Sequence, residues 1–263
     1  ANMSFLDFFV YQGKPGIFFA VELGAVVSAF ILAWLFRDKK TPIPNQPLRT
    51  KVEDKFPSML LIAMIILLIG ASFIPVKPDI TNGLICVTLL IIGLIRSAMR
   101  SGSIENAKGP LAAIDFETLG LLFGLFLIIG GITNMGVIDA AANGLAHLGE
   151  GNIFLLYTII VWASVLLSAF IDNIPYVATM LPVITGLAST MGIDPTLLYF
   201  GLLSGATLGG NCTPIGASAN ITGIGILRKA GHEVKTSEFI KIGIPFTLGA
   251  VIPAYIYFWV LYS

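Results

Sequence analysis

The chain has 263 residues, 56% of them hydrophobic and 11% charged, and 15 basic residues balance 15 acidic ones to a formal net charge of zero. A soluble domain carries about 25% charged residues, so this composition is that of an integral membrane protein. No basic excess exists to gather nucleic acid. Cys86 and Cys212, far apart in apolar sequence, with His147 and His232 the only histidines, offer neither a disulfide framework nor a metal-ligand cluster.

Residues 1–15 lack the basic n-region and the small-residue cleavage site of a signal peptide. With no initiator Met at position 1, they read as the later part of a longer polypeptide. Ile17 to Phe36 is an apolar span of the length that crosses a hydrocarbon core. Glu22 sits in its first turns, as an interfacial carboxylate or as a residue of an ion path. The polar linker 37–56 follows, with Arg37, Lys39, Lys40, Arg49, Lys51 and Lys55. Pro42, Pro44 and Pro47 disfavour helix there, and the basic residues make it cytoplasmic.

Spans are then expected at 57–74 and 80–95, joined by the turn 75–79. Arg96, Arg100 and Lys108 mark the next loop as cytoplasmic. A span at 119–135 carries Gly120, Gly124, Gly130 and Gly131, which would allow close helix contact. Residues 137–152 lack Lys and Arg and read as external, with an interfacial helix over 138–148. Cysteines placed at Gln46 and Asn143 should therefore label from opposite sides of the membrane. Labelling from one side would contradict this topology.

Apolar arms at 153–171 and 174–190 flank an Asp172-Asn173 tip, and both outer ends lack basic residues. Two full crossings and one re-entrant hairpin both satisfy that parity. The tip favours the hairpin, since it holds only two polar residues and no Lys or Arg. An aspartate at mid-membrane depth costs about 2.5–3.5 kcal/mol by insertion scales, a cost retained for a purpose. The span 196–227 is broken near Gly209-Gly210-Asn211-Cys212-Thr213-Pro214, where two glycines and a pre-proline residue oppose helix. The last span, 242–261, is kinked by Pro245 and Pro253.

Phe9-x3-Gly13-x-Pro15 precedes the first span and Phe239-x3-Gly243-x-Pro245 opens the last; Ala1-Asn2 and Ala219-Asn220 lie upstream of each. By charge the first copy is outside and the second inside, the pattern of an inverted-topology repeat. On this reading 1–36 is the tail of a first repeat and 57–263 a second one, so most of the first repeat falls outside this chain.

Asp172-Asn173-Ile174-Pro175 with Ala178-Thr179-Met180-Leu181-Pro182-Val183, and Gly209-Gly210-Asn211 with Ile215-Gly216-Ala217-Ser218-Ala219-Asn220, resemble the ion transporter superfamily. That group contains ArsB-type arsenite permeases, NhaD-type sodium/proton antiporters, CitM-type citrate carriers and the melanosomal P protein. The likeness runs through 57–263 and is closest to the P protein-like and NhaD-like branches. It implies an all-α inverted-repeat secondary transporter, multi-pass in a plasma or inner membrane. It also implies a re-entrant hairpin at 153–190 whose tip meets the broken helix, on a scaffold that dimerises.

Asp172 and Asn173 can cap the helix that follows them, or Asp172 can exchange a proton or Na⁺ with a cavity. Sodium suits oxygen ligands, and Asp172, Asn173, Asn211 and Thr213, with carbonyls freed at Gly209 and Gly210, are the candidate set. Thr179, Gly216, Ser218 and Asn220 complete the expected ion or substrate site. Beyond Na⁺ no cofactor is expected. Cys212 reads as a small apolar filler rather than as a ligand for thiophilic arsenite. The leading function is Na⁺/H⁺ antiport or Na⁺/H⁺-coupled ion transport; a citrate-like anion or arsenite is the alternative substrate. An intramembrane aspartyl protease would need a second deep carboxylate, and a non-transporting partner subunit is the remaining class.

Overall fold

In a bilayer an apolar run must satisfy its own backbone groups, and here it does so as helix. The structure, a computed structural model, describes residues 5–38, 54–74, 78, 80–101, 116–149 and 151–263. Ten helices lie among these residues: α1 Ile17–Leu35, α2 Phe56–Ser72, α3 Thr81–Ser101, α4 Phe116–Asn134, α5 Val137–Gly149, α6 Ile153–Ser168, α7 Asn173–Met191, α8 Thr196–Gly209, α9 Ser218–Lys229 and α10 Thr236–Tyr262. Strand is confined, among the described residues, to Val10–Tyr11 and Lys14–Pro15. Helices α1, α3, α7 and α10 are long and apolar enough to cross a membrane. The pair α5 and α6, bent by 119° at its break, makes a fifth if counted as one span. Most of the 37–56 linker, the 75–79 turn apart from Pro78, and the loop bearing Lys108 lie outside the described residues.

The chain forms two compact units, Ala1–Gly13 with Thr41–Leu119, and Lys14–Lys40 with Gly120–Ser263. These units cut across the division read from the sequence, because the first span groups with the hairpin and the broken helix.

In the first unit α2 packs on α3. A Cβ at Gly93 would sit 3.2 Å from Leu60 Cδ1. Asp54, just before α2, accepts from Phe56 N at 3.0 Å and from Arg96 Nη1 at 3.2 Å, and Arg100 Nη1 lies 2.6 Å from its other oxygen. The Phe56 amide holds this carboxyl below its ordinary value; burial, the next largest effect, opposes it, and the two guanidiniums add to the lowering.

In the second unit α1 and α10 lie antiparallel. Lys14 Nζ donates to Leu261 O at 2.5 Å, Tyr257 OH to Pro15 O at 3.0 Å, and Ser28 Oγ to Phe246 O at 2.9 Å. Residue numbers thus rise on one helix as they fall on the other. Gly24 makes the close approach possible, since a Cβ there would be 2.7 Å from Ala250 O.

Helices α6 and α8 run parallel and pack as closely as α1 and α10 do. Gly201 faces Tyr157, Gly205 faces Val161 and Gly209 faces Val165, a constant offset along both chains. One glycine per turn of α8 gives a flat ridge that lets two backbones touch. The glycines of α4, expected to play that part, do not: a Cβ at Gly120, Gly124, Gly130 or Gly131 meets no described atom within 4 Å. Helix α5 covers the stretch read as interfacial. Its Ile138 and Ala142 are buried, with Ala142 Cβ 3.3 Å from the Cβ position of Gly186 in α7.

Candidate functional site

Two interrupted stretches meet in the second unit. The turn 169–172 separates α6 from α7, and 210–217 separates α8 from α9. Asp172 is the N-cap of α7, with Oδ1 accepting from Ile174 N at 3.4 Å. Pro175 is tolerated because the first turn has no intrahelical use for its missing N–H. In α8 the helix tightens to a 3-10 turn over Gly210–Cys212. Thr213, before Pro214, is then extended at φ −127° and ψ 160°. Helix α9 starts at Ser218 after Ala217, which gives no side-chain cap.

The carboxylate joins the two breaks. Asp172 Oδ2 accepts from Ser218 Oγ at 2.6 Å, a short charge-assisted bond. The positive N-terminal ends of α7 and α9 therefore both lie at one carboxylate.

The remaining polar atoms here hold the breaks in shape. Thr213 Oγ1 donates to Ala169 O and accepts from Ile215 N, so its hydroxyl is already engaged. Asn220 Nδ2 donates to Gly210 O and to Thr213 O, each at 2.9 Å. Because both partners are carbonyls, the amide nitrogen must face them. Ser168 Oγ donates to Ala206 O at 2.5 Å. Gly216 lies where a Cβ would be 2.6 Å from Gly210 O, 2.8 Å from Ala169 O and 2.9 Å from Ser168 O; only hydrogen fits.

Asn220→Ala should therefore strip two carbonyls of their donor and lower stability by roughly 2 kcal/mol. Thermal unfolding in detergent checks it; an unchanged midpoint would show that Asn220 does not brace the break.

The residues expected to form the site separate into two groups. Asp172 and Ser218 pair directly, and Gly209, Gly210, Thr213, Gly216 and Asn220 build the frame around them. Thr179 donates back to Pro175 O at 2.9 Å within its own helix. Among the described residues, the side chains of Asn173 and Asn211 make no hydrogen bond to Asp172. Asn211 instead lines, with Asn220, Glu238, Phe239 and Gly243, a cavity of about 440 Å³.

Gly243 was missed as a site residue. A Cβ there would press on Asn211 O at 2.7 Å and Cys212 O at 2.8 Å, so α10 supports the 3-10 turn directly. Its counterpart in the Phe-x3-Gly-x-Pro pattern, Gly13, is outside any helix at φ +75°, and the two copies do not share a conformation.

A protein-family model described as a citrate transporter matches residues 1–205. An uncharacterized transporter of Mycobacterium tuberculosis is 38% identical over 154 residues, covering 58% of this chain and 36% of that protein. A 46 kDa membrane protein of Mycobacterium leprae is 30% identical over 271 residues, 100% of this chain and 61% of that protein. The human P protein is 34% identical over 142 residues, 51% of this chain and 17% of that protein. The chain thus spans under two thirds of the length of these relatives. No solved structure matches it. With four or five apolar helices of spanning length, these likenesses make it an integral, multi-pass membrane protein.

Proposed function

The chain belongs to the citrate transporter family, a family of transporters rather than enzymes, and from that premise we propose that it acts in secondary active transport with Asp172 as its coupling carboxylate. The observation that carries this reading is the 2.6 Å bond from Ser218 Oγ to Asp172 Oδ2. It ties the one acid of the apolar hairpin to the start of the helix beyond the break. A proton or Na⁺ arriving at Asp172 competes with Ser218 for that oxygen. Loading thereby alters the link between two elements that would move relative to their surroundings during transport. The leading form is Na⁺/H⁺ antiport, or coupling of Na⁺ or H⁺ to another ion.

A second reading is uptake of a citrate-like anion. It is favoured by the uncapped start of α9, whose first two N–H groups, on Ser218 and Ala219, precede the first backbone bond to Ala217 O, and by the family's description. In that form Asp172 carries the coupling ion while the anion takes the N–H groups. The cavity beside Asn211 and Glu238 would supply the approach, and the basic residues Arg228, Lys229, Lys235 and Lys241 favour a cytoplasmic mouth for it. The protein would work as a homodimer, surrounded by lipid.

The experiment is flux in proteoliposomes of the intact protein with Na⁺, H⁺, citrate and arsenite offered separately. Na⁺ movement driven by a pH gradient supports antiport. Citrate movement that needs Na⁺ or H⁺ supports the second reading. No flux of any of these would remove both.

A further inference from the structure

In the first unit a groove of about 670 Å³ opens between α2 and α3, walled by Pro57, Leu60, Leu89, Leu90 and Leu94 and ending at Arg96 and Arg100. We propose that this groove binds an anionic phospholipid, its phosphate on the arginines and an acyl chain along the leucines.

Among the described residues the polar end sets two guanidiniums against one carboxylate. Among the described residues Asp54 is the acid that faces both guanidiniums, with Arg96 Nη1 at 3.2 Å and Arg100 Nη1 at 2.6 Å; Glu53 and Lys55 flank it in the chain. Each guanidinium has five N–H donors, whereas Asp54 has already given one acceptor site to Phe56 N. Among the described residues donors are therefore left for a phosphate, whose geometry arginine matches in bidentate fashion. Arg96 is held in place by stacking on Phe56, with Cζ 3.9 Å from the ring centroid. Arg100 is 57% exposed and open to a ligand.

The location suits a lipid. The groove's charged end is made by the start of α2 and the end of α3, where the basic residues mark the cytoplasmic face. Anionic lipids concentrate in that leaflet. A free phosphate would leave the leucine-walled length of the groove empty; a phospholipid fills both ends.

The test uses the intact protein in a nonionic detergent. Retained lipid is counted by native mass spectrometry, and the unfolding midpoint is followed, on adding phosphatidylglycerol, phosphatidylcholine of the same chains, or inorganic phosphate. Phosphatidylglycerol should be retained and should stabilise more than phosphatidylcholine, while inorganic phosphate should do neither. Arg100→Gln should weaken phosphatidylglycerol binding about fivefold, the effect of one basic group near the surface, and leave phosphatidylcholine unchanged. Equal binding of the two lipids by the unaltered protein would overturn the proposal whether or not the variant folds. So would phosphate displacing phosphatidylglycerol, which would make this a soluble-anion site, or an undiminished lipid preference in Arg100→Gln.

Discussion

Asp172→Asn is expected to abolish proton-coupled flux in proteoliposomes of the intact protein while leaving folding and insertion unchanged. Asparagine keeps an oxygen for Ile174 N, and its amide can still meet Ser218 Oγ, so the junction of hairpin and broken helix persists. What it loses is ionisation. Removing one charge-assisted ligand should weaken Na⁺ binding roughly 10- to 100-fold. Asp172→Glu keeps the charge but, one methylene longer, misplaces it against Ser218, and partial activity is the most it should retain. The rival account makes Asp172 only a cap. Asparagine caps about as well as aspartate, so that account has Asp172→Asn transporting normally at every pH and only Asp172→Ala losing stability. Flux measured against pH, beside thermal stability, separates the two.

Gly205→Leu should be the most damaging substitution for the fold. A Cβ at this position would already lie 2.5 Å from Val161 O and 2.9 Å from Ser164 Cβ. Backbone cannot yield as a side-chain tip does, so α6 and α8 must separate along their whole ridge. Tyr157, Val161, Leu198 and Leu202, all buried, would lose packing with them. The cost should exceed the 1–3 kcal/mol of ordinary overpacking, enough to remove the folded protein from detergent extracts. Gly223→Ala in α9 is the control. No described atom outside its own helix turn lies within 4 Å of a Cβ there, and the better helix former should add about 0.5–1 kcal/mol. Size-exclusion thermostability of the two variants checks both signs; a stable Gly205→Leu would mean that the two helices do not pack as described.

The helical architecture was legible because apolar length and broken periodicity are local properties. Both interruptions could be read from Asp172-Asn173-Ile174-Pro175 and from the glycines before Pro214, since each residue type acts on its own backbone. The last helix begins at Thr236, six residues before the expected 242. Glu238 and Lys241 suggest a loop by polarity, yet at a helix start they cost nothing and Glu238 suits the dipole. The ridge Gly201, Gly205, Gly209 was not singled out from the sequence although its four-residue spacing is local, whereas the scattered glycines of α4 drew attention by number alone.

Less legible was which polar residues share a space. Asn211 is near Thr213 in sequence, but the 3-10 turn between them directs Asn211 to the cavity beside Glu238 and Thr213 to Ala169 O. The pairing of Asp172 with Ser218 spans 46 residues and rests on the parallel register of α6 and α8, which no local pattern encodes.

The most direct test of Asp172 as the coupling carboxylate is proton release on adding Na⁺ to the intact protein in weakly buffered detergent solution. The unaltered protein should release protons as Na⁺ binds, with K⁺ as the inactive control, and Asp172→Asn should release none. Equal release from both, or none from the unaltered protein, would contradict the account.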